Sequence, residues 1–143
     1  MKTCYLGGPI TSTPYTWEWR KAAKRYLEDR NILSIDPLRG KDLNSIKGQG
    51  FESNIPGSIF TARDYLDLNT SDFVLCNLLY IPKRQSIGTF MELGYAVAKN
   101  IPFTVVATDS QFLLHPFLTE GAINVVSTLE EGLSTVEFIL MEA

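Results

Sequence analysis

The run Phe73-Val74-Leu75-Cys76-Asn77-Leu78-Leu79 is apolar at every position but Asn77. A strand with one wet face alternates apolar and polar residues, whereas a strand covered on both faces has no need to. A near-continuous apolar run of strand length therefore predicts a parallel sheet with a layer of helices on each side. The chain must then alternate strands with helices, so that both layers can be built.

That alternation is present. Residues 4–6 form a short apolar stretch, ended by Gly7-Gly8-Pro9 and a loop rich in Thr and Ser. A helical pattern follows, in which Trp19, Ala22, Ala23, Tyr26 and Leu27 make one apolar stripe. Arg20, Lys21, Lys24, Arg25, Glu28 and Asp29 are expected on the opposite, solvated face. Residues 32–35 read as a second strand, closed by Asp36-Pro37. The polar segment 38–57 has no period, and a loop of that length in a small domain is usually functional or mobile. A helix over 59–70 leads into the 73–79 strand. The loop 80–87, a helix over 88–100 and a Val-rich strand over 102–107 come next. After a loop holding Pro116, residues 122–126 read as a fifth strand. Ser127-x-x-Glu130 reads as a capping box opening a last helix, with Leu129, Leu133, Val136 and Leu140 as its buried stripe. The 143 residues suit one domain, spanning 1–143. The expected fold is α/β: a flavodoxin-like, doubly wound, five-stranded and mostly parallel sheet with helices on both faces.

Thirteen Lys and Arg against 16 Asp and Glu leave a formal net charge of -3, with no run of like charge. A nucleic-acid polymer is therefore not an expected partner. A small anion is compatible with this balance, because one phosphate needs only a few backbone N–H groups and a hydroxyl. With neither an apolar leader nor an apolar run of about 18 residues, the expectation is a soluble, cytoplasmic protein with no membrane partner. Cys4 and Cys76 lie in strand-like stretches and have no Cys-x-x-Cys spacing. They read as buried, reduced packing residues, and no metal or organic cofactor is implied.

Open parallel sheets bind ligands at the carboxyl ends of their strands. Three loops should converge there: Gly7-Gly8-Pro9-Ile10-Thr11-Ser12-Thr13, then Asp36-Pro37-Leu38-Arg39-Gly40, then 82–89 running into Met91-Glu92. The first has the glycines and hydroxyls of a phosphate or sugar cradle but not the Lys of a P-loop, and an ordinary strand-to-helix turn fits it equally. The third places Glu92 in the first turns of a helix, where the dipole favours an ionised, attacking carboxylate. Complementing the helix terminus is the plainer role for the same residue. Asp64 and Asp67 share a helix so that one can face the loops while the other is solvated, and the spacing leaves open which. Asp72 reads equally as a turn residue.

Tyr5-Leu6-Gly7-Gly8-Pro9-Ile10, Asp36-Pro37, Asp64 followed by Ser71-Asp72, and Gly88-Thr89-x-Met91-Glu92-Leu93-Gly94-Tyr95-Ala96 occur in this order. Over nearly its whole length the chain resembles the nucleoside 2-deoxyribosyltransferases, and the Met-Glu-Leu-Gly block is the most specific part. The resemblance implies that Glu92 attacks the anomeric carbon of the sugar and that Asp64 binds or protonates the base. It also implies that Tyr5 orients the nucleophile through its hydroxyl, a plain core role being the alternative. A covalent glycosyl-Glu intermediate would then be released by a second base or by water. Gly8, Pro9, Ile10, Thr11, Asp36, Met91, Gly88 and Thr89 are the implied substrate-binding positions. Arg39 either reaches an anion or is a solvated loop charge, as is Lys41.

One departure bears on the substrate. Transferases acting on free nucleosides usually carry an Asp six residues before the nucleophile, where this chain has Ser86, as the related 2′-deoxynucleoside 5′-monophosphate N-glycosidases do. A hydroxyl beside the N–H groups of Gly88 and Thr89 welcomes a 5′-phosphate that a carboxylate would repel. The Arg that those hydrolases use in the first loop is Thr11 here, and a phosphate-binding Ser of their neighbouring subunit falls near Ala122. Relatives assemble as dimers or larger oligomers with a shared site, which implies a homo-oligomer in which the next subunit supplies Asn124. His115 reads as a loop or packing residue. The expected activity is cleavage of the N-glycosidic bond of a 2′-deoxynucleoside or its 5′-monophosphate, with a small-molecule nucleoside or nucleotide and a free base as partners. The alternatives are a non-catalytic nucleotide-binding module and a TIR-like NAD glycohydrolase, which fits the Met-Glu-Leu-Gly block less well. The intact Asp64 and Glu92 favour an enzyme.

Overall fold

Strand β1 (Lys2–Gly7) is fully buried from Cys4 onward, and its side chains divide between two cores. The computed structural model describes residues 1–10, 15–40, 56–80 and 87–142. After β1 come α1 (Thr16–Glu28), β2 (Ile32–Ile35), α2 (Gly57–Thr70), β3 (Phe73–Asn77), α3 (Ile87–Ala98) and β4 (Phe103–Val106). Two short helices follow, α4 (Ser110–Leu113) and α5 (Pro116–Gly121), then β5 (Asn124–Val126) and α6 (Leu129–Leu140).

The strands form one sheet in the order β2-β1-β3-β4-β5, and every pairing is parallel. This is the flavodoxin-like order, with β1 beside β3 at its centre. All five residues of β3 are buried, as its apolar run requires. Tyr5, Val74, Cys76, Phe103 and Val105 pack against Leu68 of α2 and Leu93 and Ala96 of α3 on one face. On the other, Cys4, Leu6, Phe73, Leu75 and Val106 pack against Trp19, Ala23 and Leu27 of α1 and Leu133, Val136 and Leu140 of α6. Alternate residues of each strand serve opposite layers. Cys4 and Cys76 are buried and free.

Three sequence expectations change. The buried stripe of α1 is Thr16, Trp19, Arg20, Ala23 and Leu27, so Arg20 points inward while Ala22 faces solvent. The polar stretch after β4 is not simply a loop: Asp109 caps α4 by accepting from Gln111 N, and His115 caps α5 by accepting from Phe117 N. Pro116 opens α5, where a missing N–H costs nothing. The cap of α6 is Thr128, which accepts from Glu131 N, one residue later than expected, and the Glu131 carboxylate accepts from the Ser127 and Thr128 hydroxyls. The long segment 38–57 ends where α2 begins at Gly57, and residues 41–55 lie outside the described residues. Among the described residues no helix is long and apolar enough to cross a membrane.

Candidate active site

The carboxyl ends of β1 and β3 lie side by side, with Gly7 paired to Cys76. The following turn passes so close to β3 that a Cβ on Gly8 would stand 2.6 Å from the Asn77 carbonyl oxygen. Gly8 also has φ +142°, a conformation open to glycine and strained for other residues. Glycine is required here by the packing of the turn on β3 and by its backbone conformation, which is the reason an ordinary strand-to-helix turn would give.

Glu92 reaches the same point from α3. It is the sixth residue of that helix, in the second turn, where the helix dipole has largely faded. The expected dipole support for its charge is therefore small, and other groups act instead. The Tyr5 hydroxyl donates to Glu92 Oε1 at 3.2 Å, and Glu92 Oε2 lies 3.7 Å from where a Cβ on Gly7 would be. Tyr5 is wholly buried. Burial pushes its phenol well above the ordinary tyrosine range, and the charges of Glu92 and Asp64 push the same way. The hydroxyl is thereby kept protonated as a donor. Cys76 lies in the same field, its thiol raised first by burial and then by Glu92.

The two carboxylates of α2 differ in their surroundings, and neither is solvated as expected of one of them. Asp64 is buried on the side that faces Tyr5, whereas Asp67 is gripped by both guanidinium nitrogens of Arg39 at 2.7 and 2.8 Å. Arg39 is therefore engaged in an ion pair and also donates to the Asp36 carbonyl. The rings of Tyr65, next to Asp64, and Tyr95, one turn beyond Glu92, pack with centroids 4.9 Å apart. That contact ties the two carboxylate-bearing helices together. Asp72 serves the opposite end of the sheet, accepting from Thr3 N at 2.8 Å.

Arg20 is the site residue that the sequence pattern hid. Its side chain has no exposed surface. It donates from Nε to Leu6 O (3.2 Å), from one terminal nitrogen to Thr16 O and Oγ1, and from the other to Gly8 O (3.1 Å). Asp36 Oδ1 is 3.8 Å from Nε and also accepts from Leu38 N at 2.8 Å. Burial lowers the Arg20 pKa, while Asp36, Tyr5, Glu92 and Cys76 oppose that shift. A lysine or arginine in a helix of basic residues looks solvated, and only its spacing of four from Thr16 and three from Ala23 hinted otherwise.

The other expected positions are placed as follows, where they are described. Met91 is exposed and shares an outward apolar stripe of α3 with Ile87, Phe90 and Val97, nearly opposite Glu92 around the helix. Asn124 is held within its own chain, accepting from Thr104 Oγ1 and donating to Thr135 Oγ1 at 3.1 Å. Thr89 is buried, Gly88 is exposed, Pro9 O accepts from Thr16 Oγ1, and Ile10 is half-buried. Thr11, Ser12, Thr13, Lys41 and Ser86 lie outside the described residues.

The family model described as nucleoside 2-deoxyribosyltransferase matches residues 4–135. No curated protein matches the chain by sequence. Among solved structures, a 2-desoxiribosyltransferase from Leishmania mexicana superposes with a TM-score of 0.69 at 15% identity, covering 99% of this chain and 100% of that one. A conserved protein from Enterococcus faecalis gives 0.71 at 21% identity over 98% and 99%. A CMP N-glycosidase from Clostridium botulinum gives 0.64 at 14% identity over 97% and 100%. At these identities the superpositions establish the fold.

Proposed function

The chain belongs to the nucleoside 2-deoxyribosyltransferase family, and from that premise we propose that it cleaves the N-glycosidic bond of a 2′-deoxynucleoside or its 5′-monophosphate, with Glu92 as the nucleophile. The observation that carries this reading is the Tyr5 hydroxyl donating to Glu92 Oε1 at 3.2 Å, at the carboxyl edge where β1 meets β3. That contact orients the carboxylate, and Oε2 lies 3.7 Å from where a Cβ on Gly7 would be, so glycine keeps a methyl out of the space beside it.

In this mechanism a Glu92 oxygen attacks C1′, the C1′–N bond breaks, and its electron pair leaves with the base, which takes a proton carried by Asp64. An ester then joins C1′ to Glu92. A second base or water attacks C1′, the ester bond breaks, and Glu92 returns as a carboxylate. Gly8, Pro9, Ile10, Thr11 and Asp36 would line the sugar side. Ser86 with the N–H groups of Gly88 and Thr89 would take a 5′-phosphate. The enzyme would work in the cytoplasm and as a homo-oligomer, and the assembly is supported by the exposed apolar stripe Ile87, Phe90, Met91 and Val97 on the far side of α3. For the next subunit to supply Asn124, its amide would exchange the bonds it makes to Thr104 and Thr135 within its own chain.

The test is chromatography of base release from 2′-deoxynucleosides and their 5′-monophosphates, each with and without a second free base. Release from monophosphates in water alone would make the enzyme an N-glycosidase. Release only from nucleosides, with the sugar appearing on the added base, would make it a transferase. Glu92→Ala should lose all turnover while remaining folded, and retained turnover would sink the mechanism.

A further inference from the structure

Two groups approach the end of β1 from opposite sides of the sheet. Glu92 comes from the α3 side, beside Tyr5 and Gly7. Arg20 comes from the α1 side, bonding the carbonyls of Leu6 and Gly8 that flank Gly7. Arg20 has no exposed side-chain surface, and its nearest carboxylate, Asp36, is 3.8 Å away. A charge in such a place is costly unless it is paired or solvated by dipoles, so its full burial under a catalytic carboxylate calls for a reason. Holding the turn explains the two carbonyl bonds. Neutral donors would serve that purpose without bringing a cation into the core.

We infer that Arg20 is a positioning residue whose charge holds Glu92 in its ionised, attacking form while its guanidinium pins the Gly7–Gly8 turn beneath the substrate. The inference rests on the reading of Glu92 as the nucleophile. The second turn of α3 supplies little dipole field, so the stabilisation must come from elsewhere. Among the groups bearing on Glu92 are Tyr5 from β1, which donates to it; Cys76 from β3, a neutral thiol; and Arg20 from α1, of opposite charge and partly offset by Asp36 after β2. Arg20 is the cation of this set. When the sugar is bonded to Glu92 the carboxylate charge is gone. The same cation then favours breaking the C1′–O bond, because that step returns the anion, and the electron pair goes to the Glu92 oxygen as the second base or water adds to C1′.

The experiment follows the Glu92 carboxyl by carbon NMR titration of protein labelled at Glu, assigned with Glu92→Gln, alongside the pH profile of base release. Wild type is compared with Arg20→Gln, Arg20→Lys and Asp36→Asn. Arg20→Gln should move the Glu92 titration and the acidic limb of kcat/KM upward by about one pH unit, the order expected for one nearby charge. Arg20→Lys should return both to the wild-type position while kcat stays lowered, since an ammonium cannot reproduce the fork. Asp36→Asn, which keeps the acceptor for Leu38 N, should move both downward. A Glu92 titration unchanged in Arg20→Gln overturns the inference, and a merely structural Arg20 predicts that result together with lost stability. Should Arg20→Gln fail to fold, an unmoved titration in Asp36→Asn overturns it instead. Absence of base release by the wild type would sink the proposed function, while the NMR titration would still decide the role of Arg20.

Discussion

Tyr5 and Glu92 are 87 positions apart in the chain and meet at 3.2 Å, the phenol donating to one carboxylate oxygen. The contact exists because β1 directs Tyr5 toward the α2 and α3 layer, while α3 turns Glu92 back toward the end of the sheet. Tyr5→Phe keeps the ring in the core and removes only the donor. We expect kcat to fall about tenfold to a hundredfold with KM less affected, because a misaligned nucleophile harms the reaction more than binding. Thermal unfolding should show that the variant remains folded. An unchanged kcat would reduce Tyr5 to a packing residue.

The paired glycines separate stability from chemistry. At Gly8 an added methyl would meet the Asn77 carbonyl at 2.6 Å on a backbone with φ +142°. Gly8→Ala should cost about 1–3 kcal/mol of stability in a urea titration. At Gly7 the methyl would find ordinary contacts at 3.7 Å, one of them Glu92 Oε2. Gly7→Ala should therefore fold like the wild type but release base more slowly, as the methyl takes the approach to the nucleophile. Similar stability losses in both variants would contradict this division.

The layers were legible in the sequence because burial on both faces removes polar residues from a strand, and 73–79 shows that directly. The α6 stripe was legible for the equivalent reason: Leu133, Val136 and Leu140 recur at the helical period and are buried. Arg20 was not legible, because a charged residue is read as solvated and its ligands are main-chain carbonyls, which carry no sequence signature. The spacing could not distinguish the surroundings of Asp64 and Asp67 for a similar reason, although the resemblance pointed to Asp64. Arg39, which claims Asp67, is 28 residues away on a loop whose path only the fold determines. The α6 cap was misplaced by one residue because Ser127 and Thr128 are equivalent in type and both are followed three residues later by Glu; Thr128 has the extended backbone of a cap and accepts from Glu131 N.

Alkaline pH should destabilise the fold well before its lysines discharge. Burial raises the Cys4 thiol from 9.0 to about 12 and lifts the Cys76 thiol and the Tyr5 phenol as well. In the unfolded chain these groups ionise near pH 9 to 10, while in the folded protein they stay protonated. The folded state then binds more protons than the unfolded one, so stability is fully present below about pH 9 and falls as pH rises toward 12. Each group contributes a slope of about 1.4 kcal/mol per pH unit across its own window. Urea midpoints measured between pH 8 and 10.5 should decline, and Cys4→Ala should flatten the decline by one group's share. A level profile would mean that these side chains are solvated in the native protein.

The outward face of α3 predicts self-association. Ile87, Phe90, Met91 and Val97 are exposed on it, and beside them Phe117 is 84% exposed at the rim of an apolar cavity of about 650 Å³ lined in part by Phe90, Val97, Phe112 and Leu118. A protruding aromatic next to an apolar recess on the same surface is self-complementary under a two-fold axis, since each copy offers what the other receives. The apolar residues concern α3 itself, so an association there would lie one helix diameter from Glu92 and could set that helix's position. Sedimentation of the wild type should show a mass above that of one chain. Phe117→Lys should shift it toward the monomer without loss of helical signal in circular dichroism. A loss of base release that tracks monomer formation would mean the site is finished by assembly, whereas a wild type that sediments as a single chain at working concentration would remove the assembly from the proposed function and leave the nucleophile untouched.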